Sequence, residues 1–227
     1  MFEKALAENR EAIYAILATS SLPPEAATPS GGTAFMIAPG LLVTAARCIH
    51  GGSVPGNRRR TELSLVRAPD IGRGTERATL VSLDRGKGLA LLRIAAPRST
   101  AFLRVLDNPV PIGTQCAYSG FPRLAMDPAP LPGASLIEMF QGAFVSSFER
   151  AAGPGGEPVS YYVTDAPLVG DASGCPGYTS SGEVFGMLNC PPGDIRSAVP
   201  SWVPSMEIVS FALDNGVPLP ARTECCV

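Results

Sequence analysis

His50 is the only histidine in these 227 residues. Histidine is the side chain that titrates near neutrality and serves most often as a general base, so its scarcity narrows the acid–base chemistry available. Six cysteines stand at 48, 116, 175, 190, 225 and 226. Cys225 and Cys226 are adjacent but have no His or Cys partners nearby in sequence, short of the four ligands of a structural zinc site. They read as tail, and no metal or cofactor is expected. Arg58, Arg59 and Arg60 form the one basic run, after Gly56-Asn57. Three charges are few for a phosphate-binding patch, and the net charge is −2, so neither nucleic acid nor an anionic membrane is expected as a partner. Ser173, between Ala172 and Gly174, would by itself be an ordinary turn residue.

The elements that must position these groups are short. Hydrophobic residues make up 45% and charged residues 17%, enough apolar material for a core and far from a disordered composition. The 24 glycines and 23 prolines are scattered between apolar runs, which favours strands joined by turns over a helical bundle. Met1 to about Asn9 reads as a short helix. Ala12 to Leu17 is a strand or a continuation of that helix, since the run is too short for periodicity to decide. Thr33–Ile37, a Pro39-Gly40 turn and Leu41–Thr44 read as a hairpin. Further strand-like runs are Leu63–Val66, Ala78–Leu83, Leu89–Ile94, Gln115–Tyr118, Gly142–Ser147, Tyr161–Thr164 and Val184–Leu188. Such spacing points to barrels or a sandwich. Pro204 to Asn215 fits a helix, with Pro in the first turn and Gly216 past the stop. The first 17 residues contain no uninterrupted apolar core of a secretory signal, and no run reaches the ~20 apolar residues of a membrane helix. Together with cysteines that lack dense, regular spacing, this leads to an expected cytoplasmic location with reduced thiols. Two lysines against sixteen arginines hint at a GC-rich bacterial genome.

Three segments carry a family resemblance. Gly31 to Cys48, GGTAFMIAPGLLVTAARC, is similar to a G-T-G-F-V-I strand turning into L-V-T-A-A-H-C. Leu89 to Ile94, LALLRI, is similar to D-L-A-L-L-R-I. Thr164 to Pro176, TDAPLVGDASGCP, resembles T-D-A followed by G-x-S-G-G-P. In this order the three resemble the bacterial trypsin-like serine peptidases of the chymotrypsin fold. Gly113–Pro122, ending in G-F-P, and Ala198-Val199-Pro200 before the helix support the register. The resemblance spans roughly residues 30 to 216. It implies an all-β protein of two six-stranded antiparallel β-barrels with a C-terminal helix. The corresponding division is 1–29 as N-terminal helix, strand and loop, 30–105 as first barrel, 106–216 as second barrel and helix, and 217–227 as tail.

In such enzymes a serine attacks a peptide carbonyl, a histidine takes its proton, a carboxylate orients the imidazole, and backbone N–H groups bind the oxyanion. By the resemblance, Ser173 stands at the nucleophile position. Arg47 stands at the base position, where a guanidinium that stays protonated cannot accept the serine proton. Gly88, directly before Leu89, stands at the aspartate position and has no side chain to offer. Asp84 resembles an ordinary acidic residue preceding that strand. His50, three residues past the base position, is expected to be a surface or structural histidine. The oxyanion loop would comprise Asp171, Ala172 and Ser173, with Asp171 and Cys175 replacing glycines of the pattern. Asp171 would disfavour the productive loop conformation, and it would suit an ion pair with Arg47. Cys175 lies two residues beyond the nucleophile position and reads as a small, partly buried residue. Pro167, Ser197 and Ala198 would line the substrate pocket, and Pro167 names no charged preference.

These readings lead to a catalytically impaired homologue, with a peptide or protein partner expected in the groove between the barrels. The alternative is an active serine endopeptidase that uses Ser173 with a non-standard or partner-supplied base. Oligomeric state is not readable.

Overall fold

The computed structural model describes residues 2–17, 31–49, 62–71, 73–122, 136, 138–152, 158–167, 172–189 and 200–220. Its elements run α1 (Glu3–Arg10), β1 (Ile13–Leu17), β2 (Thr33–Ala38), β3 (Leu41–Ala45), α2 (Ala46–Ile49), β4 (Glu62–Arg67), β5 (Glu76–Asp84) and β6 (Leu89–Arg93). They continue with β7 (Gln115–Gly120), β8 (Met139–Ala152), β9 (Pro158–Thr164), β10 (Pro176–Thr179), β11 (Val184–Leu188), β12 (Ser201–Pro204) and α3 (Ser205–Asp214). The strands form two closed barrels, in the orders β1-β2-β3-β6-β5-β4 and β7-β8-β9-β12-β11-β10. Every pairing within them is antiparallel, so the expected two six-stranded barrels with a C-terminal helix are what the chain forms.

The undecided Ala12–Leu17 segment is a strand. Its Ile13, Tyr14 and Ile16 suit a pleated surface, and β1 is needed to close the first barrel: Ile13 lies opposite Phe35 on one side, and Tyr14 opposite Arg67 on the other. The first barrel therefore draws its first strand from within residues 1–29. The turn at Gly40 has φ +75°, a conformation glycine adopts without penalty, and β2 and β3 bury all eleven of their residues. β8 is far longer than the Gly142–Ser147 run. Its first half pairs with β7 and its second with β9, with a register shift between Val145 and Ser147. β10 and β12 give no sequence signal, because each is four residues long and carries a proline.

The second barrel is filled by aromatic rings. Trp202 lies 5.4 Å from both Tyr118 and Phe185, and Phe185 lies 5.7 Å from Tyr162, centroid to centroid. The Trp202 indole N–H donates to Thr164 Oγ1 at 3.1 Å, so the one polar atom of the ring is satisfied. Gly177 faces this stack; a Cβ there would come within 2.7 Å of both Phe185 and Trp202.

α1 belongs to the first barrel by connection and to the second by packing. Phe2 sits 6.2 Å from Phe140 and 6.3 Å from Tyr178, Asn9 Nδ2 donates to Gly182 O at 3.1 Å, and Arg10 meets Glu138 at 2.6 Å. The segment thus ties the barrels together. Among the described residues no helix is long and apolar enough to cross a membrane.

Trp202→Ala removes the centre of the aromatic stack and strands Thr164 Oγ1. It is expected to destabilise the fold by about 3–5 kcal/mol, read as a fall in the urea midpoint.

Candidate active site

Two turns lie where the barrels face each other. One is Ser173-Gly174, leading into β10. Gly174 has φ +87°, and its Cα lies so close to the Thr33 carbonyl that a Cβ would overlap it. The backbone is pinned there from both sides. Thr33 N donates to Ser173 O at 3.1 Å and Gly174 N donates to Leu188 O at 2.8 Å. Cys48 Sγ also reaches Ser173 O, at 3.5 Å. The Ser173 carbonyl thus takes its donors from β2 and α2 of the first barrel, and the serine is 1% exposed. Ala172 and Cys175 are fully buried. Cys175 is packed more deeply than the partly buried position expected of it, with its sulfur 3.2 Å from Thr33 Oγ1. Thr33 Oγ1 accepts from Phe121 N at 2.8 Å, and Thr44 Oγ1 donates to Thr33 O at 2.6 Å. Thr33 is therefore the hub of this junction.

The second turn is Arg85–Gly88, between β5 and β6. Asp84 Oδ1 accepts from Lys87 N at 2.9 Å, so Asp84 caps this turn. Lys87 Nζ reaches across to Glu207 of α3 at 2.8 Å. Gly88 O accepts from Ala46 N at 2.8 Å, which sets Gly88 beside the residue that precedes Arg47. Arg47 follows Ala46 in α2 and is half-buried. Gly88 has φ +72°, and Asn189, at the end of β11, stands against it: a Cβ at Gly88 would lie 3.2 Å from Asn189 Cγ and closer still to Nδ2. Asn189 N donates to Ser201 O at 2.9 Å.

Neither Asn189 nor Thr33 was singled out from sequence. A polar residue ending the apolar run Val184–Leu188 was the only signal for Asn189. Pro167 is exposed, and its carbonyl accepts from the Tyr118 hydroxyl at 3.3 Å. Asp171, Ser197, Ala198, His50, Cys225 and Cys226 lie outside the described residues, and with Asp171 the Arg47–Asp171 ion pair does too. Among the described residues no cluster of His, Cys, Asp and Glu is arranged to hold a metal ion. Burial pushes the Cys116 thiol up to about 12, which keeps it protonated and unreactive at neutral pH.

The geometry is that of a serine peptidase scaffold, and the comparisons agree. A family model described as the trypsin-like peptidase domain matches residues 32–187, more than half of the chain. The protein belongs to the trypsin-like peptidase family. Among solved structures it resembles the Rv3671c protease of M. tuberculosis in its active form, with a TM-score of 0.70 and 21% identity over 98% of this chain and 88% of that one. A serine-to-alanine mutant of the same protease, in its inactive form, gives 0.67 and 18% over 96% and 92%. The unmutated inactive form gives 0.67 and 18% over 94% and 93%. No curated protein sequence matches the chain significantly.

The Lys87–Glu207 pair carries a pH signature. The hydrogen bond to Glu207 raises the Lys87 pKa above 10.5. Its stabilisation is therefore complete below the unfolded value of 10.5 and is lost as pH rises through the folded value. Both partners are partly exposed, so Glu207→Gln is expected to lower stability at neutral pH by at most about 1 kcal/mol. The gap to the parent should close in urea melts above pH 10.5.

Proposed function

We propose that this protein is a pseudopeptidase, a trypsin-like domain that binds a peptide or protein partner and does not cleave it. The observation that carries the reading is the backbone bond from Ala46 N to Gly88 O, which sets Gly88 near Arg47 while Thr33 N holds the Ser173 carbonyl. A guanidinium stays protonated at physiological pH, so Arg47 cannot relieve Ser173 of its proton. Gly88 can neither orient an imidazole nor stabilise its charged form. Ser173, at 1% exposure, presents little surface to an incoming carbonyl. The partner is an extended peptide or a protein segment lying in the groove between the barrels, where backbone hydrogen bonds can outlast the chemistry. A reducing, cytoplasmic setting fits three described cysteines that are all buried.

The competing reading is an active endopeptidase whose base comes from a partner or an unusual residue. What favours it is the intact pinning of Ser173 O and Gly174 N, since a scaffold alone can sustain residual catalysis. A fluorophosphonate probe separates the two. Incubated with the folded protein from about pH 6 to about pH 10, it is expected to leave no adduct on Ser173 by mass spectrometry. A stoichiometric adduct on Ser173 would overturn the proposal.

A further inference from the structure

The space in which an orienting carboxylate would have to stand is filled. An acid at position 88 needs room beyond Cβ for its carboxyl group, and that direction is taken by the Asn189 carboxamide. Swinging the amide would move Nδ2 but leave Cγ, 3.2 Å from the Cβ position, where it is. Clearing the space requires a new side-chain rotamer at Asn189. On the other wall, the Gly88 backbone does not retreat easily. The Gly88 turn is held by Asp84 Oδ1 on Lys87 N, by Lys87 Nζ on Glu207 and by Ala46 N on Gly88 O. The Asn189 backbone is held by its N–H on Ser201 O, so its carboxamide yields by rotation about the side-chain bonds alone. Gly88 itself lies at φ +72°, where any other residue is strained.

We infer that Asn189 is the residue that locks the site in its non-catalytic form, by occupying with its carboxamide the place of the missing acid. The inference rests on the pseudopeptidase reading and extends it. Loss of the triad is built into the contact between the two barrels, and putting back the base and the acid alone does not undo it. Asn189 acts here as a positioning residue, since it sets where a carboxylate can stand and touches no reacting atom.

The test compares Arg47→His, Arg47→His with Gly88→Asp, and that pair with Asn189→Gly. Proton NMR follows the introduced imidazole, whose resonance is read against the single one of His50 in the parent. In the pair, the imidazole is expected to titrate as in Arg47→His alone, with a melting midpoint lower by roughly 5 °C or more. Adding Asn189→Gly should recover at least half of that loss and raise the imidazole pKa by about one unit, as a facing carboxylate does. Recovery of the midpoint without the rise in pKa would mean that the carboxamide fills space other than the carboxylate's place, and would overturn the inference. If the pair already shows the raised pKa with no loss of midpoint, or if Asn189→Gly restores neither, the inference is overturned. Should the pair fail to fold, Gly88→Ala and Asn189→Gly make a double-mutant cycle. Backbone strain at position 88 is the same in both backgrounds, so only the contact term changes. A smaller Gly88→Ala penalty in the Asn189→Gly background supports the inference, and equal penalties overturn it. Fluorophosphonate labelling of the parent would sink the pseudopeptidase reading and leave the cycle intact. An additive cycle would sink the lock and leave that reading standing.

Discussion

The carbonyl of Ser173 accepts the Thr33 N–H of the opposite barrel at 3.1 Å, while the next residue, Gly174, turns through φ +87° against the Thr33 carbonyl. Each requirement constrains the other. The close approach leaves no room for a Cβ at position 174, and the positive φ disfavours one independently. Thr33 then holds Phe121 N and the Cys175 sulfur through its hydroxyl, and takes Thr44 Oγ1 on its carbonyl. β2, β3, the segment after β7 and the start of β10 converge on this one residue. Buried backbone groups left without partners are expensive, so the register of both barrels at the seam follows from it. The same junction fixes where a nucleophile on this loop would stand.

The Ser173 carbonyl is held by Thr33 N and Cys48 Sγ of the first barrel. Ala46 and Gly88 share a backbone bond, which keeps the segments that carry Arg47 and Gly88 together. On the proposed reading, proton acceptance and its orientation are missing, and removing members of such a unit takes away most of the rate enhancement, often by factors of about 10⁴ or more. A groove that recognises backbone needs neither function.

The fold was readable because three motifs that meet in space are each continuous in sequence. Thr33–Ile37 and Leu41–Thr44 alternate nowhere and are buried throughout, and Val184–Leu188 is a plain apolar run. The four-residue strands β10 and β12 were not readable, since their register comes from neighbours distant in the chain. β8 was read at less than half its length because its polar end, Glu149 and Arg150, looks like loop until β9 pairs with it. At the site, the residue types at 47, 88 and 173 spoke through their neighbours in sequence. Asn189 did not, because its significance lies in facing Gly88 from the other barrel, a contact across 101 positions of chain (189 − 88).

The central claim is that the serine junction persists without a means of activating Ser173. Turnover of an activated ester such as p-nitrophenyl acetate, compared between the parent and Ser173→Ala, tests it most directly. The account predicts equal rates for the two proteins, both at the level of non-specific surface chemistry. A parent rate exceeding that of Ser173→Ala by about tenfold or more, equivalent to about 1.4 kcal/mol of transition-state stabilisation through the serine, would contradict it.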